Sequence, residues 1–325
     1  MVNQNTTMTL DQRIEEDLKD LYDSGILKFI EQFKNCKIKA AEQLSMDLFG
    51  TSDELSSHGL PGYYTGKCDA KTVMVMLNPG SDVISQNNPF VTEKALERTM
   101  KELGITNPSS SDDFFNLFVE GSNKYGDIDK DDEGNIRIDN FDIKQAAFLK
   151  AWGKNSGIEI QDPFPSKDDR DGLRKVKQNV LMQKLQLELI PYASREFKNV
   201  KPSKMHFLFP YVETLFDEIF SHERNYVIFC SDFFETLFRM YSDDTGYTGS
   251  IVFGKKEEWP LFQKNRKAYC TPMTITYNKG VAMKSIHAVI AHTFPNKALP
   301  NAYDKMQEYG KFCFEEYNKY KNLHP

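Results

Sequence analysis

Residues 73–77 read Val-Met-Val-Met-Leu, apolar at every position, and run straight into Asn78-Pro79-Gly80. A strand with one wet face alternates apolar and polar residues. An unbroken apolar run instead suits a strand covered on both faces, as in a parallel sheet. Three further short segments read as core strands: 185–190 (LQLELI), 226–230 (YVIFC) and 286–291 (IHAVIA). Helical patterns alternate with them. One starts near Pro210, with Tyr211, Val212, Leu215, Phe216, Ile219 and Phe220 on one face; FFETLFRMY is a shorter one, and a closing helix spans about 301–320. A hairpin is expected around 273–283 (MTITYNKGVAM). Strands alternating with helices place the chain in the α/β class. The expected form is a three-layer α/β/α fold with a central four-stranded, mostly parallel sheet.

The first seventy residues have a different character. Thr9 can cap a helix in which Leu10, Ile14, Leu18 and Leu21 recur at helical spacing. Ser24-Gly25 breaks that run, and 51–71 is loop-like. Residues 1–70 are therefore expected to form an N-terminal helical extension and loop. Residues 71–325 form the α/β domain, interrupted at about 91–175 by a long polar insertion with helices near 92–103, 111–121 and 143–152.

Forty per cent of the 325 residues are apolar, enough for a sizeable core, and the net charge is −6. An acidic chain offers no global nucleic-acid footprint, so DNA would have to be held by local patches. Two basic clusters qualify: Arg195, Lys198, Lys201 and Lys204, and then Lys255, Lys256, Lys264, Arg266 and Lys267. Each also reads as an ordinary solvated face. The five cysteines form no C-x-x-C pair, which disfavours zinc and iron–sulfur sites and fits reduced thiols. No basic-then-apolar leader opens the chain, and no run reaches the ~18 apolar residues of a membrane span. A cytoplasmic monomer without membrane attachment, cofactor or metal is expected. Asp129, Asp131, Glu133, Gly134 and Ile136 resemble the start of a calcium loop, but position twelve is Asn140 and not the bidentate Glu such a site needs. A polar turn is the better reading.

In open α/β sheets, ligands sit beyond the carboxyl ends of the strands. Four polar sequences fall there: Asn78-Pro79-Gly80, Pro191-Tyr192-Ala193-Ser194, Ser231-Asp232 and His292, with Phe90 on the excursion after the first. An amide, an aromatic ring and an imidazole converging on one crevice could hold a planar heterocycle. Asn-Pro-Gly is also a common turn.

These residues resemble the uracil-DNA glycosylase superfamily. Its first motif, in the mismatch-specific and single-strand-selective branches, is Gly-x-Asn-Pro-Gly, and this chain has Met76-Leu77-Asn78-Pro79-Gly80. Pro89-Phe90 places an aromatic twelve residues after Asn78, as those branches do. The family's His-Pro-Ser-Pro is matched by His292-Thr293-Phe294-Pro295. The resemblance implies a uracil-DNA glycosylase-like fold. It also implies hydrolysis, without metal, of the N-glycosidic bond of a damaged or mispaired base flipped out of DNA; the alternative is a non-catalytic nucleic-acid or nucleobase-binding module of the same fold. By the same resemblance Asn78 would position the attacking water and His292 would donate a hydrogen bond to the departing base. Phe90 would stack on the base, with Leu77 and Glu188 beside it. Pro79, Gly80, Ser194 and Lys297 would contact the DNA backbone. The chain departs from the pattern at Met76, at Glu188 where several branches have Asn, and at Thr293 where the family has Pro. An ionised Glu only accepts hydrogen bonds, so Glu188 would favour a base presenting donors. Phe294 or Leu299 could wedge into a duplex or pack against the last helix.

Overall fold

The computed structural model describes residues 8–23, 38–55, 62–78, 138, 140–153, 156–181, 183–194, 197, 200–244, 249–259, 267–279, 282–294 and 303–325. Helix α1 (Leu10–Asp23) opens on a reciprocal cap, in which Gln12 N donates to Thr9 Oγ1 at 3.3 Å and Thr9 N to Gln12 Oε1 at 3.0 Å. This satisfies two amides that a helix start otherwise leaves without partners. Helix α2 (Lys39–Phe49) ends on Gly50, whose φ of 83° is a left-handed conformation that glycine adopts at no steric cost.

The strands are β1 (Tyr64–Gly66), β2 (Thr72–Met76), β3 (Leu185–Glu188), β4 (Tyr226–Phe229), β5 (Gly249–Phe253), β6 (Glu257–Trp259), β7 (Ala268–Lys279) and β8 (Ala282–Ala291). Their order is β1-β3-β2-β4-β8-β7-β5, with β6 also on β7. The four strands expected from the sequence are β2, β3, β4 and β8, and they are neighbours. The expected four-stranded sheet is corrected to one of eight described strands. β2 pairs parallel with β4 (Thr72↔Tyr226 to Val75↔Phe229), and β4 with β8. β7 and β8 form the expected hairpin, antiparallel from Cys270↔Ala291 to Lys279↔Ala282. The extra strands are short or half-exposed: β5 buries only Ile251, and such segments give a weak apolar signal. β5 lies at the end of the order, and its amides are covered: Gly249 N donates to Tyr241 Oη at 3.2 Å and Ile251 N to Ser242 Oγ at 3.1 Å. Covering such groups removes a template for pairing with another chain.

Among the described residues the remaining α-helices are α3 (Asn140–Leu149), α4 (Arg170–Leu181), α5 (Phe209–Ser221), α6 (Phe233–Asp243) and α7 (Tyr303–Leu323). The fold divides into two compact units that interleave along the chain. One comprises Met1–Thr65, Leu77–Ile136 and Leu187–Glu218; the other comprises Gly66–Met76, Arg137–Gln186 and Ile219–Pro325. The sequence expectation placed a single boundary near residue 70.

In the second unit one sheet face buries Met74, Met76, Ile228, Cys230, Val289 and Ala291 beneath α3, α4 and α7. On the opposite face the Phe229 ring meets Phe234 and Phe238 of α6 edge-on at 5.1 and 4.8 Å. Helix α3 falls within the span expected to be an insertion, yet Ile143, Ala146, Ala147, Phe148 and Leu149 are wholly buried. A helix enclosed all round shows no amphipathic stripe, so its role is hard to see in sequence. Helix α7 crosses α3 at Gly310, where a Cβ would stand 2.1 Å from the Phe148 carbonyl oxygen. Between α3 and α4, Lys177 pairs with Asp142 at 2.9 Å, both side chains buried. Burial, then repulsion from Lys184, lowers the Lys177 ammonium to about 8. Among the described residues no helix is long and apolar enough to cross a membrane.

Candidate functional site

Asn78 follows β2 and belongs to the first unit. Its Nδ2 donates to Ser194 Oγ at 2.8 Å and to the Tyr192 carbonyl at 3.2 Å. Two of the predicted residues, Asn78 and Ser194, are thus joined directly. The backbone around them is fixed by Ile190 N donating to the Leu77 carbonyl at 3.1 Å, and by an antiparallel bridge between Leu55 and Ser194. Ser194 is buried, while Leu77 and Asn78 are half-buried.

Tyr192 connects this turn to α1. Its hydroxyl donates to the Asp17 carboxylate at 2.9 and 3.0 Å, and the Tyr63 hydroxyl donates to Asp17 Oδ2 at 2.6 Å. Burial raises Asp17 to about 6, against the lowering pull of Tyr63, Tyr192 and Arg13. Both phenols are pushed well above their ordinary value, first by burial and then by neighbouring acidic groups. Arg13 lies 4.0 Å over the Tyr211 ring and donates to Thr214 Oγ1 at 3.3 Å. Sequence reading singled out the apolar stripe of α1 and passed over Arg13 and Asp17. The available signal was a charged pair at i,i+4 flanking that stripe, a spacing that puts both groups on one side.

Glu188 is half-buried at the end of β3, its N donating to the Tyr63 carbonyl at 3.2 Å. It borders a recess of ≈ 20 Å³ with Leu10, Arg13, Tyr63, Tyr211 and Glu218. That volume suits about one water and not a nucleobase.

His292 belongs to the second unit, at the end of β8. Its Nε2 lies 2.8 Å from Thr271 Oγ1 and 3.4 Å from Glu235 Oε2. Glu235 also receives Arg239 at 2.7 Å and Lys256 at 3.2 Å. Burial works to raise the Glu235 carboxyl, but its bonds from Arg239 and Lys256 prevail and leave it below its ordinary value. Burial, reinforced by the Lys256 charge, lowers His292 to about 4 despite Glu235 and Asp232. The imidazole is therefore neutral near pH 7. An ionised carboxylate beside Nε2 favours the tautomer with the proton there, and Nδ1 has no hydrogen-bond partner among the described residues.

Ser231 and Asp232 close the turn into α6, with Phe233 N donating to Ser231 Oγ at 3.2 Å. Thr293 N donates to Tyr309 Oη at 3.2 Å. Phe294 packs on Phe148 at 5.3 Å between centroids and is buried, so it joins the core and is no duplex wedge. Met76 is likewise core. Phe90, Pro79, Gly80, Lys297 and Leu299 lie outside the described residues, as does the calcium-like stretch before Asn140. Among the described residues no three His, Cys, Asp or Glu side chains are grouped to hold a metal ion. No family model matches the chain, and neither curated proteins nor solved structures give a match.

Proposed function

We propose that the protein is a DNA glycosylase-like hydrolase, with a three-layer uracil-DNA glycosylase-like fold, that cleaves the N-glycosidic bond of a base flipped out of DNA. The observation that carries this reading is the state of Asn78. Its amide nitrogen donates to Ser194 Oγ and to the Tyr192 carbonyl, which fixes the side-chain amide beyond the end of β2. An amide held this way orients water without deprotonating it. That suits a reaction in which the base departs with the bonding electron pair, C1′ becomes cationic, and water then bonds to C1′ and releases a proton to solvent. The adjacency of β3, β2, β4 and β8 is the arrangement that such a sheet requires.

The DNA strand is assigned to the segment after the Ser194 turn. In the 3-10 helix Pro202–Leu208 the exposed His206 ring lies 4.1 Å from Phe207, and Lys204 Nζ sits 5.3 Å from the Phe207 centroid. Lys201 stands exposed beside it. Rings with cations at their side can stack unpaired bases and neutralise phosphates.

The second reading, a binding module without catalysis, is favoured by one observation: the Nε2 of His292 is committed to Thr271 and Glu235. Oligonucleotides carrying uracil, hypoxanthine, alkylated bases and mismatches separate the two. The catalytic reading expects abasic product from at least one, reduced about 100-fold or more in Asn78→Ala. Salt-sensitive binding with no abasic product from any substrate would leave only the binding module.

A further inference from the structure

We infer that Asp17, on the N-terminal helix, is a positioning residue for Asn78, acting through Tyr192. The inference rests on the water-orienting role proposed for Asn78 and adds a control over it. The chain of contacts is short. The Asp17 carboxylate receives the Tyr192 hydroxyl at 2.9 and 3.0 Å, and the carbonyl of that same tyrosine receives the Asn78 amide at 3.2 Å. Side chain and backbone of one residue therefore join a buried carboxylate to the proposed water-holding group. The turn is further held by the Asn78–Ser194 side-chain bond, by Ile190 N to the Leu77 carbonyl and by the Leu55–Ser194 bridge. At the Tyr192 hydroxyl the charged partner is Asp17, with Tyr211 beside it.

The groups facing Asp17 are Arg13 and Asp20 from its own helix, Tyr63 ahead of β1 and Tyr192 after β3. Tyr211 of α5 interacts with Tyr192, Arg13 and Asp17, and feels Asp47 as well. With its carboxyl raised to about 6 by burial, Asp17 changes charge within the range a cell experiences. Ionised, it pulls both phenol hydrogens inward; protonated, it holds them more weakly. The Asn78 amide then rests against a carbonyl whose position follows pH.

The experiment reads the Asn78 side-chain amide directly, by NMR on nitrogen-15-labelled full-length protein, the signal being assigned by its loss in Asn78→Ala. In the unaltered chain the Asn78 amide resonances should titrate with a midpoint near 6. In Asp17→Asn they should not move over roughly pH 5–7. In Tyr192→Phe they should also stay fixed, because the link is cut while Asp17 still titrates. Tyr63→Phe is the control for a merely structural role: it keeps the Tyr192 bond, so titration should persist with a raised midpoint, one lowering hydrogen bond having been removed. Resonances of Asn78 that ignore pH in the unaltered chain, or that titrate unchanged in Tyr192→Phe, overturn the inference. No catalysis is needed for this readout, so the coupling stands or falls separately from glycosylase activity.

Discussion

A carboxyl and an imidazole, each buried, carry the clearest pH signatures in this molecule. Asp17 titrates near 6 in the folded protein against an ordinary 3.8. Between those values the folded state binds more protons than the unfolded one, so stability falls as pH rises and levels off above 6. The swing is about 2–3 kcal/mol. Urea unfolding of Asp17→Asn at several pH values should show stability rising more steeply from about pH 4 to 6 than in the unaltered chain, and an unchanged profile would place the effect elsewhere. His292 works the other way. Its folded value of about 4 lies below the ordinary 6.5, so the unfolded chain binds the extra proton. Its contribution is present above 6.5 and lost as pH falls towards 4, a swing of similar size. His292→Gln should therefore gain stability relative to the unaltered chain as pH falls from 6.5 towards 4, measured by the same unfolding series. A third residue-level expectation concerns Asn78. Ser194→Ala removes the shorter of its two amide bonds, 2.8 Å, and should lower abasic-product formation about tenfold.

Among the elements, α7 and α3 depend on a missing side chain. At Gly310 a Cβ would stand 2.1 Å from a backbone oxygen of α3, which cannot rotate aside. Gly310→Ala should then force the helices apart and destabilise the second unit by about 2–3 kcal/mol, seen as a lower thermal midpoint. A midpoint equal to that of the unaltered chain would mean that the crossing has slack. The 3-10 helix Pro202–Leu208 is expected to matter to binding and not to folding. Lys204→Gln should reduce the dependence of log K on log salt for a thymidine oligonucleotide by about 1. His206→Ala should weaken binding with the salt slope intact, because stacking releases no counterion.

For the molecule as a whole the two buried acid–base groups oppose each other in one pH window. The stability of the unaltered chain should be flatter between pH 4 and 6.5 than that of Asp17→Asn or His292→Gln. Much of the architecture was legible beforehand. The α/β class, the strands at 73–77, 185–190, 226–230 and 286–291, the hairpin at 273–283 and the Thr9 cap all follow from local pattern, because strand and helix periodicities and caps are properties of neighbouring residues. Less legible were β5 and β6, too short and wet to signal, and the core position of α3, whose helix was expected near 143–152 but which is enclosed so completely that it shows no stripe. Of the candidate site, the sequence singled out Asn78, Ser194 and His292 as polar groups beyond strand ends. The partners that give them chemistry come from far along the chain: Asp17 acts on Tyr192 across 175 residues, and Glu235 and Thr271 hold His292 from two other elements. Periodicity determined which segments become strands and helices, since that choice is made within a few residues. Tertiary structure alone decided which nitrogen of His292 is held, that Asp17 is buried beside two phenols, and that Phe294 packs inward, because burial and long-range hydrogen bonds exist only once distant segments meet.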